Sequence, residues 1–159
     1  MVQLNLDIAT IQERINTNSL LIGRNIKADR NNDFAILGIQ DAEKWVHDEI
    51  KSISSRIFAD FFSQYARDQE YPYMFEGSDT YDSGDIIYRM EFHEDFDTNL
   101  VPSILQATED LIVDYVTYKW VYNSNYDYRK AEEIYKEGKS LLIELVSRRH
   151  NARRTYKYY

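Results

Sequence analysis

The chain has 159 residues, with 27 acids against 19 Lys and Arg and no cysteine. That length suffices for one domain with its own core, and the missing cysteine excludes a disulfide framework, a thiol nucleophile and a zinc–thiolate site. No apolar run approaches the ~20 residues that cross a bilayer, and the N-terminus lacks the basic start and apolar centre of a secretory signal, so a soluble chain, cytoplasmic at synthesis, is expected.

Taken in order, residues 4–16 predict a short amphipathic helix, with Leu6, Ile8, Ile11 and Ile15 as a loose stripe and Asp7 near its start. Residues 16–33 mix turn formers with one apolar patch, Leu20 to Ile22, and predict loop on either side. Residues 33–68 read as one long helix, or two with a bend. Asp41 is the candidate cap, the segment 33–39 a preceding helical turn, and Trp45, Val46, Ile50, Ile53, Ile57, Phe58, Phe61, Phe62 and Tyr65 recur at helical spacing. Residues 71–92 change character. Two stretches rich in aromatic and β-branched residues flank GSDTYDSG, which predicts a β-hairpin with a long loop, Pro72 suiting an edge strand or a strand start. Two strands alone are marginal in water, so the hairpin must lie on the helices or pair with another subunit.

The C-terminal third predicts two long helices. The first starts near Pro102 with Asn99 as its cap and Glu109 and Asp110 early, where the helix dipole favours acid. From Leu111 to Tyr122 it is apolar almost all round, which predicts a helix buried on most sides, either central or completed by a neighbouring subunit. Residues 123–127, NSNYD, form the turn. The second helix carries a narrower stripe of Tyr128, Ala131, Ile134, Tyr135, Gly138, Leu141, Leu142, Leu145 and Val146. Gly138 inside that stripe costs about 1 kcal/mol against alanine, which a close helix crossing would explain. Tyr118, Trp120, Tyr122, Tyr135, Gly138 and Leu142 are the residues expected to pack the core or an oligomer contact. The expected fold class is therefore mainly α: a single domain over 1–159, a helical bundle with a long C-terminal helix pair and a small inserted β-hairpin.

Charge is unevenly spread. Ten acids lie between Asp68 and Asp97 with Arg89 as the only cation, whereas residues 148–159 carry Arg148, Arg149, Arg153, Arg154 and Lys157 with no acid. Tyr156, Tyr158 and Tyr159 close that basic arm. It could contact phosphates with tyrosines stacked on bases, dock on an acidic protein surface, or be a solvated helix end; the protein-docking reading is preferred. The 14 tyrosines fit an interface, and equally a coding bias that raises Tyr, Asn, Ile and Lys together. Catalytic patterns are missing. His47, His93 and His150 are scattered, Asp79, Asp82 and Asp85 do not have calcium-loop spacing, and neither a phosphate loop nor a nucleophile elbow is present. No catalytic residue, metal or cofactor is expected.

The order of elements carries a resemblance. The apolar helix ATEDLIVDYVTYKWVY, a polar turn, then YRKAEEIYKEGKSLLIELVSRRHNARR is similar to the end of tailed-phage head–tail connector proteins, also called adaptor or head-completion proteins. The loop–helix segment DFAILGIQDAEKWVHDEI and the inserted hairpin are similar in outline, so the resemblance covers about two thirds of the chain. It implies a non-enzymatic virion protein that forms a ring, commonly of twelve copies, in the phage neck. Such a ring joins the portal to the tail and passes the genome DNA through its lumen without sequence-specific contact. It also implies that the arm 148–159 docks on the portal or an adjoining neck or tail protein, without involving a membrane. The acidic hairpin has no counterpart in that pattern. The runner-up is a small nucleic-acid-binding helical protein using the same basic tail, against which stands the net charge of −8.

Overall fold

Residues 1–30, 43–66, 68–77 and 83–148 are described by a computed structural model, the side chains of 25–30 excepted. Gln3, Asn5 and Asp7 alternate with Leu4, Leu6 and Ile8, and a period of two suits a half-buried strand. Strand β1 (Val2–Asp7) accordingly forms where a helix from residue 4 is expected. Asp7 ends it. Its carboxylate accepts the backbone N–H of Thr10 at 3.0 Å and the Thr10 hydroxyl at 2.5 Å, which caps helix α1 (Ile8–Arg30). Those bonds hold the Asp7 carboxyl below its ordinary pKa, against a smaller opposing effect of burial. Ile8, Ile11 and Ile15 keep the expected helical face and are fully buried.

The loop expected over 16–33 is helix as far as Arg30. The Thr17 hydroxyl donates to the Glu13 carbonyl and the Ser19 hydroxyl to that of Asn16. These side chains therefore bond into their own helix instead of competing with it. Packing of α1 along the first helix of the C-terminal pair outweighs propensities of a few tenths of a kcal/mol.

Helix α2 (Glu43–Ile57) buries Val46, Ile50, Ile53 and Ile57 of the stripe read from the sequence, and with them His47 and Ser54. It continues as a π-helical turn over Phe58–Phe62 and a 3-10 turn over Ser63–Tyr65. The Asp41 cap and the helical turn at 33–39 lie outside the described residues.

The predicted hairpin is present as β2 (Tyr73–Gly77) and β3 (Gly84–Met90). Its support differs from expectation. β3 is central, with β1 antiparallel on one side and β2 antiparallel on the other, so the third strand comes from the N-terminus of the same chain and no second subunit is needed. Leu4 faces Tyr88 and Leu6 faces Ile86 in register, and all four are at most 1% exposed. Tyr88 is fully buried. Its ring packs 5.1 Å from Phe62 and 5.6 Å from Tyr73, and its hydroxyl donates to the Ser54 carbonyl at 2.9 Å. That bond satisfies the one polar atom of an otherwise apolar burial and ties the sheet to α2.

The C-terminal pair comprises α3 (Val101–Asn123) and α4 (Arg129–Ser147). Asn99 is not the cap. Asp97 accepts the Asn99 backbone and side-chain N–H at 3.0 and 2.9 Å, closing a 3-10 turn at Thr98–Leu100 that leads into α3. Pro102 sits in the first turn, as expected. Glu109 and Asp110 lie beyond that turn, outside the reach of the dipole, and pair with Arg14 of α1 instead. Residues on nearly every side of α3 are buried, from Ile104 and Ala107 through Ile112, Val113 and Val116 to Val121. It contacts α1, α2, α4 and β1. The nearly all-apolar helix is therefore central within one protomer. Among the described residues the fold is mainly α, four helices with a small three-stranded antiparallel sheet packed on them.

Among the described residues Gly84 is the glycine whose backbone, at φ +127°, requires that residue. A Cβ there would lie 2.3 Å from the Glu76 carbonyl oxygen and 3.2 Å from Ile8 Cδ1. Gly84→Ala is expected to cost about 2–3 kcal/mol in urea unfolding, through backbone strain and displacement of the β2 strand; a loss under ~0.5 kcal/mol would refute this account of the turn into β3.

Candidate functional site: the C-terminal helical hairpin

The α3–α4 hairpin is closed at Gly138. A Cβ on that residue would meet Leu111 Cδ1 at 3.3 Å and Asp114 Oδ2 at 3.6 Å, and Leu111 is fully buried. Glycine thus admits α3 against α4, the close crossing that its place in the stripe suggested. Leu142, also fully buried, and Trp120, 9% exposed, pack the same seam and its surroundings. These two expected packing residues serve the core of the protomer.

Tyrosines line the rest of the seam. Tyr115 is buried, and Tyr118 and Tyr135 are half-buried. Tyr135 lies 5.4 Å from Tyr115 and 6.1 Å from Tyr118, parallel to the latter. Arg56 of α2 donates to the Tyr115 hydroxyl at 3.3 Å with its guanidinium over the ring. Burial pushes the phenols of Tyr115, Tyr118 and Tyr135 above their ordinary pKa, so the cluster is neutral at physiological pH and acts by packing and hydrogen bonding. Tyr122 departs from expectation: it is 50% exposed. It sits in the last turn of α3, edge-on to Tyr128 at 5.0 Å, and with Asn123, Asn125, Tyr126 and Tyr128 lines a shallow open recess around the interhelical turn. Asn125 makes that turn possible at φ 58°, a conformation asparagine tolerates better than most residues.

One acid lies inside the seam. Asp114, half-buried beside Gly138, has its pKa pushed up to about 6, chiefly by burial and secondarily by Asp110, with Arg14 opposing. Burial likewise raises Glu109, again against Arg14. Sequence reasoning missed Asp114. The available signal was an acid in the middle of an apolar helical run, directly before Tyr115.

Of the basic arm, Arg148 is described. It is exposed and bridges back to Glu144 one turn earlier. Arg149, Arg153, Arg154, Tyr156, Lys157, Tyr158 and Tyr159 lie outside the described residues, as do His150, Asp79 and Asp82. Asp85 stands in β3 with Asp7 and Glu76 as its register partners on either side, a row of three acids across the sheet. Among the described residues no group of three or more His, Cys, Asp or Glu is arranged to hold a metal ion. His47 is buried edge-on to Phe75 at 5.3 Å, which holds its pKa down, and His93 lies against Asp95 in an exposed local pair. Among the described residues, no helix is long and apolar enough to cross a membrane. Comparison with protein-family models, curated proteins and solved structures finds no match to this chain.

Two measurements probe the hairpin. Trp120→Ala is expected to cost about 3–5 kcal/mol in chemical unfolding, as for other buried large-to-small changes, and Tyr122→Ala under ~1 kcal/mol because half of that side chain is already in water; equal costs would contradict the placement of α3. For Asp114, a raised native pKa means that the folded chain holds the proton more tightly than the unfolded one. Stability therefore falls as pH rises from about 4 to about 6 and is flat above. The full shift corresponds to ~3 kcal/mol, but partial exposure screens it, so Asp114→Asn should gain about 1 kcal/mol at pH 7.5 and nothing at pH 3.5. A loss of stability at pH 7.5 would show instead that the ionised carboxylate has a favourable partner.

Proposed function

We propose that this chain is a structural protein of a tailed-phage neck. It assembles as a ring, most simply of twelve copies, between the portal and the tail, has no catalytic activity, and passes DNA through its lumen. The sequence resemblance supports the reading through its element order: an inserted hairpin, an apolar helix, a polar turn and a long amphipathic helix ending in a basic arm. The observation that carries it is where that arm begins. Helix α4 ends at Ser147, and Arg148 turns to extended backbone at ψ 132°, so the run of cations starts where the packed body stops. The body and the arm also differ in charge. Five of the 19 Lys and Arg lie in residues 148–159, leaving 27 acids against 14 cations in residues 1–147. Such a division suits contacts between unlike faces of neighbouring proteins, and head-to-tail contacts that close give rings. With α3 covered inside the protomer, assembly falls to the surface and the arm, and the partners are further copies, the portal and adjoining neck or tail proteins.

The test is co-assembly with the portal of the phage that encodes the chain. Native mass spectrometry should show a discrete cyclic complement of this chain on the portal ring. Deleting Arg153 to Tyr159 should abolish attachment and leave the circular dichroism unchanged, the arm being a terminal docking element. If the truncated chain still attaches, and loses salt-sensitive DNA binding instead, the nucleic-acid reading replaces this one.

A further inference from the structure

Among the described residues, helix α4 has a second face that is left exposed. Lys130, Ile134, Glu137, Leu141, Glu144 and Arg148 follow one another at steps of four, three, four, three and four, so they form one continuous line along the helix. All six are exposed, Ile134 by 44% and Leu141 by 48%. This line flanks the buried stripe of Gly138, Leu142 and Leu145. The apolar surface of α4 is thus wider than α3 covers. An isolated exposed leucine needs no explanation; two aligned on one seam, bracketed by charges of both signs, invite one.

We propose that this seam pairs with the same seam of a second copy, antiparallel, about a two-fold axis near Glu137. Charge selects both the partner and the direction. Ile134 and Leu141 are seven residues apart, roughly 10 Å along the helix, and lie almost symmetrically about Glu137 and Gly138. Turning one helix end for end therefore sets Ile134 of each copy beside Leu141 of the other. The same turn sets Lys130 of each beside Glu144 of the other. Each contact occurs twice, as a self-complementary two-fold interface requires. A parallel pairing would instead oppose Lys130, Glu137, Glu144 and Arg148 each to its own copy, four like-charged meetings. The antiparallel pairing retains one, Glu137 at the axis. A single-helix seam of this length falls in the small class of interfaces associated with weak, reversible association. The contact makes a pair and stops, since it is isologous. It stands independently of the ring reading, and concerns the chain free of its portal.

The test uses the full chain alone in solution. Sedimentation equilibrium should show a monomer–dimer equilibrium. Ile134→Asp or Leu141→Asp should abolish the dimer with an unchanged circular dichroism spectrum, both sites being exposed. Lys130→Glu should weaken the dimer about tenfold, since the reversal acts on both sides of the axis, and Lys130→Glu with Glu144→Lys should restore it. Because the chain has no cysteine, single cysteines report the geometry without background. Glu137→Cys should oxidise to a disulfide-linked dimer, and Lys130→Cys should not. The proposal is overturned by a chain that stays monomeric at all concentrations, by an oligomer indifferent to Ile134→Asp, or by cross-linking at Lys130→Cys as readily as at Glu137→Cys, which would indicate a parallel pair. A portal-bound ring without a free dimer would remove this seam contact and leave the ring reading intact.

Discussion

One constraint organises the fold: α3 is too apolar to be left with a wet side. A surface helix needs cover along a single stripe, but Ile104, Leu111, Ile112, Val113, Val116 and Val121 point in directions that together span most of the cylinder. Each remaining helix meets one part of that demand. α4 closes on it through Gly138, α1 through its apolar stripe with Arg14 at the rim, and α2 through the face that ends at Ile57. The sheet is the outer layer of the same cover, reached through β1 and through Tyr88, whose hydroxyl is fixed on the α2 backbone. Removing any one layer would expose apolar area worth about 25 cal/mol per Å², so the layers stabilise one another.

The polar groups show the reverse side of that arrangement. The acids on α3 face the seams between layers, and the cations available there are few. Arg14 serves both Glu109 and Asp110, and burial dominates at Asp114. Burial disfavours the ionised form of that carboxyl, and Arg14 offsets the effect only in part. The charge imbalance of the body is thus felt inside the fold as well as on its surface, because 27 acids share 14 cations over residues 1–147.

How much of this was legible depended on whether the evidence for an element lay within it. The long periodic stretches were readable. The stripe of α2, the all-round apolarity of α3 and the interruption of the α4 stripe at Gly138 each declare their environment locally, and Trp120 and Leu142 fall where that reading puts them. The N-terminus was not readable in the same way. Ile8 belongs to two patterns at once, the alternation Leu4, Leu6, Ile8 and the helical set Ile8, Ile11, Ile15. Only the partner strand β3, some eighty residues away, decides that Leu4 and Leu6 belong to a strand while Ile8 opens the helix. The turn formers of 16–33, Gly23 and Asn25 among them, argued for loop, and long-range packing of α1 on α3 overrode them as far as Arg30. Tyr122 was grouped with Trp120 because the apolar run continues through it. The helix ends one residue later, so its ring faces the turn and solvent instead of the core.

The candidate site divides along the same line. Gly138 could be found because glycine within a helical stripe is conspicuous at the level of one element. The Asp114 environment could not, since it needs three elements at once: the crossing that glycine permits, the neighbouring Asp110 on α3 and the single Arg14 on α1. The exposed line from Lys130 to Arg148 is an intermediate case. Its spacing is written in the sequence, but the sequence alone places Ile134 and Leu141 in one stripe with Leu142 and Leu145, whereas both are exposed. Only when α3 has taken Leu142 and Leu145 do Ile134 and Leu141 remain outside. A helix stripe wider than its partner leaves a remainder, and here that remainder carries its own pattern of opposite charges. A surface of this kind is set by how α3 and α4 cross: a shift of the crossing by one helical position would bury Ile134 or Leu141 and erase it.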